Sequence, residues 1–372
     1  MEQINFVDLK KQFSSIEREI TDSVLEVLRS GQYILGPIVE EIEKKLSLYS
    51  NVNNVITVSS GTDALFVSLH ALGIGPGSKV FIPSFTYTAT AEVIALVGAE
   101  PVFVDVNSKS FNISCKDLEK KIKNHKLKKD IPSAIIAVDL FGLPAKYDQL
   151  NIIANDYNIH LISDAAQSFG GAIGNKRVGN LAPITTTSFY PTKPLSCYGD
   201  GGAIFTDDDS MAQILRSIRA HGVSDDPYEN IRIGTNARFD AIQAAVLLKK
   251  LTIFDKELEE KKKVARIYNE ELYKAVETPI ILEGVDSAWA HYTIKTTDRN
   301  ELKKYLSDCN IPSMIYYPKP MHEQIAYKKY SNDDNLEISK NLCNEVLSLP
   351  MHPYMSEEQV LYIAKKIIKF LG

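Results

Sequence analysis

Cysteine is scarce and scattered in this chain of 372 residues: Cys115, Cys197, Cys309 and Cys343 form no CxxC pair. That argues against a zinc site and a disulfide framework, and it fits a reducing compartment. A dominant charge is lacking too. The 42 Lys and Arg against 47 Asp and Glu leave a net charge of −5, which gives no global pull toward nucleic acid. No apolar run reaches the ~18 residues expected of a membrane span. Met1-Glu2-Gln3-Ile4-Asn5 carries an acid and lacks the basic-then-apolar order of a signal peptide. Internal repeats and low-complexity segments are absent. The expectation is a soluble, cytoplasmic protein long enough for two domains.

What is there begins with a helical period. Ile16, Ile20, Val24 and Leu28 recur every fourth residue up to Gly31. From residue 54 to 206, short β-branched runs alternate with helical ones. Strands are expected at 54–59, 79–83, 101–106, 134–139 and 159–164, with helices at 64–72, 91–97 and 147–157. This alternation predicts an α/β fold with a mostly parallel mixed sheet and helices on both faces. The basic run Lys120, Lys121, Lys123, Lys126, Lys128 and Lys129 reads as a solvated helix face and loop. A Lys/Glu-rich helix at 255–275 reads as a spine. After it come strands at 289–294 and 313–322 and helices at 300–309, 333–347 and 356–371. Residues 1–250 are expected to form an N-terminal segment and large domain, and 251–372 a small C-terminal α+β domain.

The chemistry-bearing residues fall at strand ends, where open α/β sheets bind ligands. Ser60-Gly61-Thr62-Asp63 sits between a strand and a helix, an anion cradle or an ordinary N-cap. Tyr87 lies at a strand-to-helix junction, where a ring can stack on a planar ligand. Asp164 closes a strand, with Gln167 just beyond. Ser188 precedes Pro191-Thr192-Lys193-Pro194, in which two prolines pin a lysine in a stiff loop before the glycine turn 199–202. Taken alone, Lys193 could be a surface lysine in a rigid hairpin. Together these groups match what pyridoxal 5′-phosphate requires. Lys193 offers the imine-forming amine and later a proton shuttle. Asp164 faces the pyridine nitrogen and Gln167 the phenolic oxygen. Gly61, Thr62, Asp63 and Ser188 take the phosphate, and Tyr87 stacks.

Eight segments carry a resemblance. They are Gly31–Pro37, Ser60–Leu65, Pro83–Tyr87, Asp164–Ser168, Ser188–Lys193, Gly199–Gly202, Asn236-Ala237-Arg238 and Pro350–Pro353. The sequence closely resembles the DegT-type nucleotide-sugar aminotransferases, pyridoxal phosphate enzymes of the aspartate aminotransferase fold (fold type I). The resemblance implies the same roles for Lys193, Asp164, Gln167, Thr62, Ser188 and Tyr87. It further implies a homodimer with shared sites, in which Asn236 reaches the phosphate of the partner subunit. L-glutamate is the implied amino donor and a nucleotide-linked keto-sugar the acceptor. No metal is implied. Relatives with histidine in place of the lysine are dehydratases, so Lys193 favours transamination over a dehydratase or a non-catalytic binding relative.

Among these enzymes the text most resembles those that aminate UDP-2-acetamido-2-deoxy-3-oxo-glucuronic acid for bacterial surface polysaccharide and O-antigen. There, an Arg matching Arg238 and a His-Tyr pair before Pro help bind the sugar carboxylate. This chain has Tyr316-Tyr317-Pro318 instead. A dTDP-3-keto-6-deoxyhexose, which lacks that carboxylate, is the alternative acceptor. Arg238, Tyr316, Tyr317 and His322 are the expected sugar contacts, with Lys319 beside them.

Overall fold

The computed structural model describes all residues except 1, 2, 126–130, 132, 227, 281 and 332–334. Seven strands form the central sheet: β1 (Asn54–Val58), β2 (Lys79–Pro83), β3 (Glu100–Val104), β4 (Ala134–Val138), β5 (His160–Asp164), β6 (Ile184–Ser188) and β7 (Gly202–Thr206). Their order is β1-β7-β6-β5-β4-β2-β3. Only β7 runs against its neighbours, pairing antiparallel with β1 and β6. The sheet is the mostly parallel, mixed one expected, and it carries β5 and β6 side by side at its centre.

Three helices, α1 (Leu9–Ser15), α2 (Glu17–Ser30) and α3 (Pro37–Ser50), precede the sheet, and alternate residues of each strand feed opposite layers, as a period of two demands. Val80, Ile82 and Ile136 enter one core with Leu65, Leu69 and Ile94, which belong to α4 (Gly61–Ala71) and α5 (Ala89–Leu96). Phe81, Ile135 and Ala137 enter another with Leu118 and Leu150, from α6 (Cys115–Asn124) and α7 (Tyr147–Asp156). Of the basic run, Lys120 and Lys123 are exposed while Lys121 is buried; Lys126, Lys128 and Lys129 lie outside the described residues.

Four elements differ from expectation. The N-terminal helical text breaks at Ile16 (φ −140°) into Leu9–Ser15 and Glu17–Ser30. Its buried face is Ile16, Ile20 and Val27, while Leu28 is 46% exposed, because 3.6 residues per turn drifts away from a strict step of four. The helix begun at residue 241 and the expected spine are one helix, Ala241–Leu272. It passes straight through residue 250. Phe254 and Leu258 pack with the sheet's core, whereas Val264, Ala265, Tyr268 and Leu272 build the core of the C-terminal unit. Residues 313–322 form no strand beyond one bridge between Met314 and Ser348. The pairing is made instead by Val346–Leu349, expected as the end of a helix, with Tyr292–Lys295. Among the described residues no helix is long and apolar enough to cross a membrane, and all four cysteines are free thiols.

Candidate active site

The carboxyl ends of β5, β6 and β2 bring the candidate residues to one edge. Asp164, the last residue of β5, is 7% exposed. Its Oδ2 accepts from Thr90 Oγ1 at 3.0 Å and its Oδ1 from the Ala166 N–H at 3.2 Å. Burial raises its pKa, against the pull of Ala166, Lys193 and Thr90. Lys193 answers in kind: burial lowers its pKa while Asp164 holds it up. Each therefore feels the other's charge within a buried, low-dielectric setting. The lysine loop is set by backbone bonds from Lys193 N–H to Tyr190 O and from Phe189 N–H to Gly201 O, both 2.8 Å.

The anion cradle forms where α4 begins. Ser60 caps the helix by accepting from Asp63 N–H at 3.0 Å. Gly61 and Thr62 follow it as the helix's first N–H donors, which have no intrahelical acceptor. A Cβ on Gly61 would lie 2.6 Å from Ser188 Cβ, and one on Gly202 would lie 2.4 Å from Ser60 O. Glycine at both positions lets β6, β7 and the helix start converge. Asp63 departs from expectation. Its carboxylate accepts from Ser59 Oγ and Ser60 Oγ, and its N–H is spent on the cap, so it stabilises the turn and keeps no donor for a phosphate.

Gln167 is held by both ends of its amide: Oε1 accepts from Phe141 N–H at 2.7 Å, and Nε2 donates to Tyr317 Oη at 3.2 Å. The Tyr317 ring lies 6.1 Å from Tyr87, which is 56% exposed. Tyr316 packs beside Tyr317, with ring centroids 5.7 Å apart. Arg238 Nε donates to Asn236 Oδ1 at 3.0 Å, and Asn236 is exposed. His322 lines a different cavity, the one Lys319 borders. The Met321 N–H bonds Ser84 O at 2.8 Å and turns the chain inward. His322 is thus buried, with Nδ1 2.6 Å from Ser84 Oγ. Lys319 lines a separate open cavity with Lys328 and Lys340.

Two supporting residues went unread in the sequence. Thr90 carries no local signal; it reaches Asp164 only because α5 starts above β5. Asp139 had one, since it comes directly after β4 much as Asp164 closes β5. Its buried carboxylate accepts from Tyr147 Oη, Ala145 N–H and Ser168 Oγ. Burial pushes its pKa up to about 7. It fixes the 165–168 turn that presents Gln167.

The DegT/DnrJ/EryC1/StrS aminotransferase family model matches residues 14–368. The chain belongs to this family. A UDP-2-acetamido-2-deoxy-3-oxo-D-glucuronate aminotransferase from Pseudomonas aeruginosa is 42% identical over 361 residues, 97% of this chain and 98% of that one. A dTDP-3-amino-3,6-dideoxy-alpha-D-galactopyranose transaminase from Aneurinibacillus thermoaerophilus is 35% identical, covering 99% of both chains. The crystal structure of a DegT/DnrJ/EryC1/StrS aminotransferase from Brucella abortus superposes with a TM-score of 0.96 at 48% identity, over 99% of this chain and 100% of that one. Bacillus subtilis NtdA, solved with bound PMP, superposes with a TM-score of 0.87 at 28% identity, over 98% and 83% of the two chains.

This aminotransferase is a pyridoxal phosphate enzyme, and its residues fit that group. The cradle at Gly61 and Gly202 would be filled by any side chain, and it opens onto free N–H donors suited to a phosphate. The buried carboxylate of Asp164 suits a ring nitrogen carrying a proton, and Lys193 supplies an amine. When bound, the cofactor provides an aldehyde to carry the amino group and an electron-withdrawing ring.

Proposed function

We propose that this enzyme moves the amino group of L-glutamate onto a nucleotide-linked 3-keto-sugar, first of all UDP-2-acetamido-2-deoxy-3-oxo-glucuronic acid, for bacterial surface polysaccharide such as O-antigen. The observation that carries the substrate is the 42% match to the Pseudomonas enzyme over nearly the full length of both chains. In this reading Lys193 is the catalytic amine and the group that holds and returns the proton at the reacting carbon. Asp164 keeps the pyridine nitrogen protonated, and Gln167 Nε2 donates toward the phenolic oxygen. Gly61 and Thr62 N–H groups and Ser188 Oγ hold the phosphate, and Tyr87 covers the ring. Two copies work as a cytoplasmic homodimer, and the partner subunit's Asn236 completes the phosphate site. Arg238, Tyr316 and Tyr317 contact the sugar.

The test is a panel of nucleotide keto-sugars generated in situ and supplied with heavy-nitrogen glutamate, with products read by mass spectrometry. Label in the UDP-linked amino-uronic acid is the expected result. Label only in a dTDP-linked 6-deoxyhexose would select the second reading, which Tyr316 favours by standing where the uronate-binding pattern has histidine. A keto-deoxy-sugar without label would mean dehydration.

A further inference from the structure

The segment before the strand Tyr292–Lys295 is stitched to the turn that carries Gln167's backbone partner. The Ala288 N–H bonds Gly142 O at 2.9 Å and the His291 N–H bonds Phe141 O at 3.3 Å. Gly142 permits this approach: a Cβ there would lie 2.7 Å from Trp289 N and 2.8 Å from Ala290 N. The result fixes His291 in the aromatic wall of the active site. Its ring centroid lies 4.6 Å from that of Tyr316, 6.0 Å from that of Phe141 in an edge-on contact and 6.3 Å from that of Phe6.

We propose that His291 is a carboxylate-binding residue of this active site. Among the described residues its ring nitrogens meet no hydrogen-bond partner, and neither is sealed from solvent. An imidazole held by tilted and edge-on contacts with three aromatic rings, with its polar atoms left open, is placed to receive a ligand. Burial first, then the charges of Lys193 and Lys261, push its pKa down to about 3, so the ring stands neutral with one N–H to give. The same two lysines that disfavour a cation there favour an arriving anion. Once seated, a carboxylate also favours protonation of the ring and strengthens the bond. Two reactants bring carboxylates: the amino donor and, resting on the substrate reading above, the uronic acid of the acceptor.

The test uses the holoenzyme with His291→Phe, which keeps an aromatic ring and loses the donor, and His291→Gln, which keeps a donor amide. In one arm L-glutamate is titrated while the cofactor's visible band converts to its amine form. In the other, KM is measured for UDP-2-acetamido-2-deoxy-3-oxo-glucuronate and for the analogue carrying a hydroxymethyl group in place of the carboxylate. His291→Phe is expected to raise the half-saturating concentration of a carboxylate partner by about tenfold or more. His291→Gln should stay within about threefold of wild type. Loss in the glutamate arm assigns His291 to the donor; loss with the uronate but not the analogue assigns it to the sugar. Wild-type behaviour of His291→Phe in both arms overturns the proposal, as does equal loss on both sugars with glutamate untouched. If the wild type aminates neither sugar, the substrate reading fails and the glutamate arm alone decides for or against His291.

Discussion

Replacing Gly61 by alanine sets two expectations against each other. Gly61 is the first residue of α4, where alanine's helix propensity predicts a gain of up to about 1 kcal/mol. Space predicts the reverse. The new Cβ would lie 2.6 Å from Ser188 Cβ, 3.1 Å from Ser188 Oγ and 3.2 Å from Ser188 Cα. Reaching ordinary carbon–carbon contact requires a shift of about 1 Å. Neither side has slack, because Ser188 pairs with Gly202 in the sheet and Gly202 already abuts Ser60 O. A net cost of about 1–3 kcal/mol follows from overpacking, equivalent to a fall in Tm of roughly 2–6 °C. Because the N–H groups of Gly61 and Thr62 move with the clash, pyridoxal phosphate affinity should fall by about tenfold or more. Thermal melts of apoprotein and a fluorescence titration with the cofactor read the two effects separately. Adding Ser188→Gly removes the obstructing Cβ and should restore the Tm, but not the affinity, since the hydroxyl is gone too. A Gly61→Ala variant that binds cofactor as wild type does would refute the placement of the phosphate at this junction.

Lys193→Ala should abolish turnover and remove the cofactor adduct that borohydride reduction traps on the 190–198 peptide; an adduct found on another lysine would displace Lys193 from its role. His352 is 4% exposed, and burial holds its pKa down at about 4 despite the pull of Asp8. The unfolded chain therefore binds more protons between about pH 4 and 6.5, so stability falls on acidification through that window, by at most about 3 kcal/mol from this residue. His352→Gln should flatten that slope in pH-dependent melts, and an unchanged slope would rule His352 out as its source. Glu257 is buried, accepts from both Gln12 and Tyr354, and supports the charge of buried Lys250 and Lys261, whose pKa values burial lowers to about 8. Glu257→Leu leaves those cations without their anion and should cost about 3 kcal/mol in denaturant titrations; a neutral result would mean the lysines reside there uncharged.

The central sheet was readable because most of its strands are short runs of apolar and β-branched residues bounded by local punctuation, and the strand ends carried their chemistry in adjacent residues. Asp164 with Gln167, and Ser188 with Lys193, are local statements of that kind. The misses are non-local. Nothing near Val346 announces a partner at Lys295. The drift of the N-terminal apolar face past Leu28 depends on what Val27 meets in the core. His322 read as a loop residue near the sugar, but Ser84, far away in sequence, draws it under the end of β2. Asp63 lies where a cap and an anion cradle share the same text, and only the hydroxyls of Ser59 and Ser60 decide between them.

The site residues also divide by how they are held, and that division has a consequence. Asp164, Gln167 and Lys193 are fixed before anything binds, by Thr90, by Phe141 and by the backbone of the lysine loop. Preorganised groups of this sort act without reorganisation cost at the reacting centre. Tyr87 and Asn236 are exposed, Tyr87 with a ring contact to Tyr317 and Asn236 with a hydrogen bond from Arg238. Ordering such side chains costs conformational entropy, which a bound ring, a sugar or a second copy of the chain must offset. In the proposed reading, the groups that act on the cofactor ring and the proton lie within one chain, and the contacts to phosphate and sugar are assembled around them. Substitutions at Tyr87 or Asn236 should accordingly act through cofactor and substrate affinity, whereas those at Asp164 act on the chemical step itself.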